Sequence, residues 1–567
     1  MKNKALYLIV AFGMMLGFSS CNLDVFPSDE LNSDLLLQDA KGAEYIMDGC
    51  YAILKDEVEF LGYASGNCYA RHYFQLTEFP SDNICLSAHT TDPLYEATAY
   101  QMTDGLKNVG TLWMVAYKAI YMTNTVISTL DESNPENHQL LGEAYFMRGL
   151  MHLHLVSLYA KPYSWGRDNM GVPLRTTTSS DKTIRNPVGE VYDQIVADLR
   201  KAADLMGKSR GNAGYPCRDA ALGVLSRVYL YMEEYDKCIE TVNEALNGAE
   251  PGTKLDPDFA NYFINAKTSP ETLMCIAHEV SDSRGQSSAG SMYLKDGIGW
   301  GEIYPSDPLM YLYERYPQDI RYSALIWPQF SGKPGKKVYV TIPASDDPEA
   351  PHIKFSAALI DEGGNYSFKD GSTTYTIEKR KVNGEGKPDA AGEYVMYYTK
   401  YKGEECLCRI NDDVTLRTGY TIPMVFVKKF SYQDGDPMLS SPVLCRWGEV
   451  ILNRAEAYAR TGKNAEALAD VNVIRKRAGI PAEGMFEPGK MHSYENVIDV
   501  VMDERRMELA FEGHRMFDVY RNKQNMDRRF AGAQPFKIVE WDKEPHIQYP
   551  IPNNEWTVSG IEQNPGY

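Results

Sequence analysis

The sequence has no block rich in Lys and Arg, and its 58 basic residues are outnumbered by 77 acidic ones, for a formal charge of −19. Without a basic surface there is nothing to neutralise phosphate, which argues against nucleic acid as a partner and against polybasic attachment to anionic lipid. The apolar run Ala5 to Gly17, 13 residues, is too short to span a bilayer as a helix. Cysteine is sparse: ten in 567 residues, an odd nine once Cys21 is set aside, scattered rather than clustered. That is not a small disulfide-stapled scaffold. The only close pair, Cys406 and Cys408, has neither a second C-x-x-C nor nearby histidines to make a zinc site, and is read as two strand cysteines on opposite faces. No D-x-[DN]-x-[DN]-G loop marks calcium, so no cofactor is expected, although the sequence leaves calcium binding open. Depletion of hydrophobic and aromatic residues, the mark of disorder, is also missing: 44% of residues are hydrophobic and 39 are tyrosine.

At the start of the chain, Lys2 and Lys4 precede the apolar run, and Ser19 and Ser20 come directly before Cys21. The order of charge, apolar stretch, small residues and cysteine resembles a bacterial lipoprotein signal, with residues 1–20 removed and Cys21 acylated. The acidic stretch that follows, within residues 21–37, reads as a lipidated, solvated tether, and the lipid is the only membrane contact the sequence offers.

Helical periodicity dominates residues 38–249. Ala43, Ile46, Met47, Cys50, Tyr51 and Leu54 fall on one helix face, and 108–130 and 138–159 follow the same rule across a turn that starts at Asp131. Leu222, Leu225, Ser226, Tyr229, Tyr235, Cys238, Val242 and Ala245 share their spacing with Ile451, Arg454, Ala455, Tyr458, Asn464, Ala467, Val471 and Ile474. Both read as degenerate tetratricopeptide units, 229 residues apart and so not a continuous solenoid. Between them, residues 250–441 turn Gly- and Pro-rich, with short alternating runs such as Lys337 to Ile342 and Tyr375 to Glu378; loops, short strands and a few short helices are expected. The predicted fold is therefore mainly α: one compact domain over 38–567 whose tetratricopeptide-like helix pairs form a scaffold, an aromatic loop at 62–100, an irregular ligand-presenting insertion at 250–441, and a C-terminal helical part at 442–567.

The C-terminal part carries the most specific residues. Arg446-Trp447-Gly448-Glu449 opens a helix pair that ends at Arg475-Lys476-Arg477-Ala478-Gly479. Asp503-Glu504-Arg505-Arg506-Met507-Glu508-Leu509-Ala510-Phe511-Glu512-Gly513-His514-Arg515 follows, then Asp518 and Arg521, and the chain closes on Tyr549-Pro550-Ile551-Pro552 and Gln563-Asn564-Pro565-Gly566-Tyr567. With the lipoprotein start, this resembles the SusD/RagB family of Bacteroidetes outer-membrane lipoproteins. The resemblance implies a lipid-anchored protein of the outer membrane, exposed at the cell surface and not itself a hydrolase. It would bind a polymeric nutrient, usually a glycan, and act as a lid on a SusC-like TonB-dependent transporter. Some relatives are thought to capture peptides, which keeps a peptide- or protein-binding reading open; a secreted glycoside hydrolase is a third.

Glu504, Glu508 and Glu512 recur every four residues, with Arg505 and Arg515 within a turn of that line, a spacing that suits ion pairs and opposes the raised pKa of a general acid. Gly207-Lys208-Ser209-Arg210-Gly211 fits the nucleophile-elbow pattern but follows a helix and enters a flexible connection. His152 and His154 are two apart on a helix and cannot chelate one metal. A sugar site needs aromatic rings in loops rather than on helix faces, with hydroxyls taken by carboxylates, amides and Arg. Trp300, flanked by Gly299 and Gly301, fits that description, and Tyr304 follows it; the other reading packs this aromatic onto the helices. In the loop 62–100, Tyr73, Tyr95 and Tyr100 are ranked as ligand contacts from context, with Asp82 and Asn83 as polar partners or, alternatively, turn caps.

Overall fold

The computed structural model describes residues 41–567 apart from 61–62, 89, 91, 180–183, 296–297, 344–351, 385, 391, 418–420 and 536–537. The signal peptide, Cys21 and the tether therefore lie outside the described residues.

The helical body begins with α1 (Gly42–Ala52), which buries Ala43, Ile46, Met47 and Cys50 as its spacing predicts. Next come α2 (Cys68–Glu78), the short α3 (Tyr95–Ala99) and the long α4 (Lys107–Thr129) and α5 (His138–Tyr159). After them come α6 (Val188–Leu205), α7 (Arg218–Tyr231) and α8 (Tyr235–Leu246). The insertion supplies α9 (Asp307–Glu314) and α10 (Ile320–Leu325). The C-terminal part adds α11 (Trp447–Arg460), α12 (Asn464–Arg477), α13 (Val497–Glu508), α14 (Arg515–Arg521) and α15 (Asn553–Ser559). Among the described residues no helix is long and apolar enough to cross a membrane.

From α4 to α8 each helix packs on the next, α8 packs on α11, and the series continues through α12 to α13. The two repeat units, far apart in the chain, are thus neighbours in space, and the array is continuous where the sequence spacing suggested a break. The seam is specific: Asn453 donates to Ser226 Oγ at 3.0 Å, Arg454 to Asn243 Oδ1 at 2.6 Å, and Arg227 pairs with Glu449 at 2.5 Å. Gly223 makes it tight, since a Cβ there would lie 2.8 Å from Cys445 Sγ and 3.1 Å from Val450.

Two expectations need correction. The stretch 62–100 is not an open aromatic loop: α2 occupies its centre and is buried at every position except Arg71. A helix enclosed on all sides needs no polar face, so its aromatics show no amphipathic spacing and look irregular in sequence. The insertion holds the loops, short strands and short helices expected of it, and its strands are ordered beyond that expectation. It contains a seven-stranded sheet built from β1 (Lys336–Pro343), β2 (His352–Ala358), β3 (Ile360–Glu362), β4 (Asn365–Asp370), β5 (Thr373–Val382), β6 (Tyr394–Tyr401) and β7 (Glu404–Asp412), in the order β2-β1-β7-β6-β5-β4-β3. Every neighbouring pair is antiparallel. The sheet curls until β2 meets β4 and encloses its own small core of Val338, Val340, Phe368, Ile377, Tyr401, Cys406 and Cys408. Cys406 and Cys408 both point into it, on one face and not on opposite faces, because strand side chains repeat every second residue.

The remainder of the insertion is stitched to the scaffold by two two-stranded ladders, 84–86 with 303–305 and 272–275 with 443–446, and a third, 326–328 with 425–427, closes within the insertion itself. Beneath them lies a buried charge cluster. Arg446 reaches Glu271 at 2.7 Å, Glu508 at 2.6 Å and Glu512 at 2.8 Å; Arg321 reaches Glu504 at 2.6 Å and Asp319 at 2.7 Å; Arg475 also reaches Glu504, at 2.9 Å. The glutamate partners come from other elements. Arg505 turns instead to Asp518 and Glu456, and Arg515 to Asp82. Burial would raise the Glu512 carboxyl, but Arg446 and Lys429 overrule it and hold it down at about 2. Such groups stay ionised, the opposite of what a general acid requires.

Candidate functional site

Trp300 is 54% exposed, and its local backbone explains why. Its N–H donates to Ser291 O at 2.7 Å, which pins the loop against the 291–294 turn. Gly299 allows that approach, because a Cβ there would lie 2.5 Å from Ser291 O, and Gly301 takes the left-handed φ of +59° that turns the chain into strand 303–305. Both glycines are needed for geometry and leave the indole without shielding neighbours. Gly301 O accepts from Arg417 Nη1 at 2.6 Å and from Ser87 Oγ at 3.2 Å, while Ser87 N donates to Glu302 O at 2.8 Å. The segments around 87, 300 and 417 thus converge at one rim. The Arg417 guanidinium, bonded to the carbonyl of the residue after Trp300, is partly exposed and makes no ion pair among the described residues. An aromatic platform beside a multidentate hydrogen-bond donor can stack and orient a polyhydroxylated ring.

The other residues singled out from sequence are placed differently. Tyr304, four residues on, is buried in its strand and packs edge-on against Phe426 at 5.4 Å. Tyr73 faces the core from α2 and stacks on His154 at 4.1 Å. Tyr100 is buried, its hydroxyl donating to Pro80 O at 2.7 Å and lying 2.6 Å from the Tyr520 hydroxyl. Asp82 is clasped by Arg515 through two bonds of 2.7 and 2.9 Å; burial would raise its carboxyl, but the Arg506 and Arg515 charges hold it at about 2. Asn83 Oδ1 accepts from Arg506 at 2.8 Å. Of these residues, then, Tyr73, Tyr100, Tyr304, Asp82 and Asn83 are parts of the core and its ion pairs and offer no ring or oxygen to solvent. Tyr95, on α3, is half-buried against the core. Trp300 alone keeps an open face.

His152 and His154 are both buried; burial pushes the His152 imidazole down to about 3, and His154 Nδ1 lies 2.5 Å from the Tyr69 hydroxyl. Ser209 Oγ donates to Asn212 O within a loop, and no nucleophile elbow is formed.

One feature escaped the sequence: a cleft of about 1400 Å³ between the curled sheet and helices α9, α10 and α13. Phe330, 52% exposed, stands on its wall. Its signal was an aromatic directly before Ser331-Gly332-Lys333-Pro334-Gly335, the same aromatic-beside-turn pattern that marks Trp300.

Comparison with known proteins agrees with this architecture. The SusD family model matches residues 270–567, and a second model, described as starch-binding associating with outer membrane, matches residues 44–230. SusD-like protein P2 of Formosa agariphila is 24% identical over 485 residues, covering 83% of each chain, and SusD-like protein P38 of the same organism is 21% identical over 545 residues, covering 92% of this chain and 91% of the relative. Among solved structures, a SusD superfamily protein from Bacteroides thetaiotaomicron superposes with a TM-score of 0.68 at 21% identity, covering 93% of this chain and 99% of the other. Surface glycan-binding protein A from Bacteroides uniformis superposes with a TM-score of 0.61 at 17% identity and the same two coverages. The ladders, the C-terminal charge cluster and the helical array apart from α8 fall within the matched regions, and the chain belongs to the SusD family.

Proposed function

We propose that this protein captures a glycan at the bacterial surface through Trp300 and Arg417, without cleaving it, and passes it to a SusC-like TonB-dependent transporter in the outer membrane. Anchoring is through an acylated Cys21. The observation that carries the reading is the open indole of Trp300, held out by two structurally required glycines beside an arginine that makes no ion pair among the described residues. The family supports it, as do the starch-binding description of the model matched at 44–230 and the name of the Bacteroides uniformis neighbour. Affinity at one stacked ring is modest, which suits a protein that must release its ligand to a channel.

The test is migration of the chain from residue 22 onward through native gels containing starch or other polysaccharides, with albumin as reference. Retardation by one polymer, weakened by Trp300→Ala, is the expected result; no retardation by any polymer defeats the reading. A shortened oligosaccharide after incubation would point to a hydrolase instead. Peptide capture stays as the second reading on one observation, the continuity of the helical array from α4 to α13, which restores the extended repeat surface such binding uses.

A further inference from the structure

The cleft between the curled sheet and the helical scaffold is far larger than three other cavities among the described residues, which hold about 10, 20 and 30 Å³. Its 1400 Å³ exceeds the roughly 300–1,000 Å³ of a small-molecule pocket. It suits a chain of several linked units better than a single compact ligand.

Its charges say what kind of chain. Arg409 is held between Glu314 and Asp307, Lys354 also pairs with Asp307, Arg315 pairs with Asp503 at 3.4 Å, and on the floor Arg506 and Arg515 are both committed to Asp82. Burial would raise the Asp307 carboxyl, but Lys354 and Arg409 keep it low, so the wall carries fixed opposite charges that cancel. Lys336 and Lys379 are exposed side chains at the edge. Among the described residues, Lys336, Lys379 and Asp499 line the cleft without an ion pair, so what is left unpaired is of both signs and gives no single-sign field for an ionic ligand. What it offers besides is rings: Phe330, exposed, with half-buried Tyr311 on α9 and Tyr322 on α10. Aromatic faces with hydroxyl edges in a charge-balanced cleft match a neutral, polyhydroxylated chain.

The cleft is also tied to the Trp300 rim. Phe330 bridges Val414, Thr415 N donates to Gln329 O at 2.8 Å, and Arg417 N donates to Ile422 O at 3.0 Å. The Arg417 side chain then holds Gly301 O beside Trp300. One short backbone ladder therefore positions Phe330 and Arg417 relative to each other.

Building on the glycan reading above, we infer that the cleft is a second binding site for the same neutral glycan, engaged together with Trp300 by one oligosaccharide, so that recognition depends on chain length. Ligand selection is then a property of an internal stretch of polymer, not of a terminal sugar.

The test is calorimetric titration of the chain from residue 22 onward with neutral oligosaccharides, disaccharide to heptasaccharide, prepared from whichever neutral polymer (starch, laminarin, xylan or galactomannan) retards it in gels. Wild type is expected to gain affinity with length. Phe330→Ala is expected to lose that gain, binding the heptasaccharide about tenfold more weakly, which is about 1.4 kcal/mol, while binding the disaccharide as wild type does. Trp300→Ala is expected to weaken both. Phe330 is exposed, so its replacement leaves the fold intact, and Tyr322→Ala on α10 is expected to reproduce the effect. Affinity independent of length, or Phe330→Ala indistinguishable from wild type on every oligosaccharide, overturns the second site while leaving the Trp300 reading in place. Binding of alginate or dextran sulfate that Phe330→Ala abolishes overturns its neutral specificity. Failure of wild type to bind any neutral polymer overturns both readings.

Discussion

A ring can stack on a sugar only if one of its faces meets water, and along this chain that condition is set by the backbone on either side of the ring. Gly299 and Gly301 are fixed by a 2.5 Å approach and a left-handed φ, and the indole between them is left open. Trp300→Ala is therefore expected to weaken glycan binding about tenfold with an unchanged melting temperature, as gels and calorimetry on the same preparation would show. Tyr73, Tyr100 and Tyr304 have no such glycines around them and turn inward, and composition could not tell the two situations apart. Trp300 was legible because its flanks are glycine; the tyrosines of 62–100 were misread because aromatic density alone does not distinguish a loop from a fully enclosed helix. The thiols obey the same rule of access. Eight of the nine described cysteines are buried and Cys217 is partly exposed, and burial pushes the Cys50, Cys85 and Cys275 thiols up to about 12. Ellman's reagent on the native chain from residue 22 is expected to titrate Cys217 quickly and the remainder only after denaturation.

Helix α11 begins where the charge cluster is densest. A Cβ on Gly448 would press on the Arg446 guanidinium and lie 2.9 Å from Glu271 Oε1 and 3.0 Å from Glu508 Oε1. Gly448→Ala is therefore expected to destabilise the protein by about 2 kcal/mol, through displaced ion pairs and not through helix propensity, which favours alanine. Glu508→Gln, which removes the one buried carboxylate charge shared by Arg446, Arg477 and Arg321 and leaves the cluster with excess positive charge, is expected to cost more, about 3–5 kcal/mol in urea unfolding. The glutamate spacing announced that these groups pair, but not with which arginines: Arg446, Arg321 and Arg475 arrive from separate elements, and only tertiary structure brings them in. The repeat units were legible because close helix crossing demands small residues at fixed positions. The seven-stranded sheet was legible only in fragments. Much of its outer surface meets solvent, so β5 reads as a mainly polar run with only two buried positions, Ile377 and Val382.

Across the whole molecule, pH acts through groups that folding holds neutral or ionised. Burial lowers His152 to about 3 and His278 and His514 to about 4, so each contributes stability above its ordinary value near 6.5 that is lost as pH falls toward 4. Burial raises Glu78 to about 7 and also lifts Asp219, Asp470 and Glu555, which works the other way, but His72, His154 and His352 are lowered too and the histidines outnumber these carboxyls. Below that range Glu512 and Asp82, both held near 2, add their loss. The melting temperature is expected to fall from pH 7 to pH 4 and more steeply below, in a series of thermal scans; a flat profile would contradict the assignment. At the same scale, Cys21→Ala in the full-length chain is expected to move the protein from the membrane fraction to the soluble one. The cluster around Arg446 and the clasp of Asp82 by Arg515 join residues 271 and 82 to residues beyond 500. During synthesis, Arg321, Arg446 and Arg475 emerge from the ribosome long before Glu504 and Glu508 exist to receive them. The chain must therefore wait, incompletely folded, for its last tenth, and a truncation anywhere before residue 504 leaves arginines with no place to be buried. Completion of translation is thus built into the fold as a condition for closing the core.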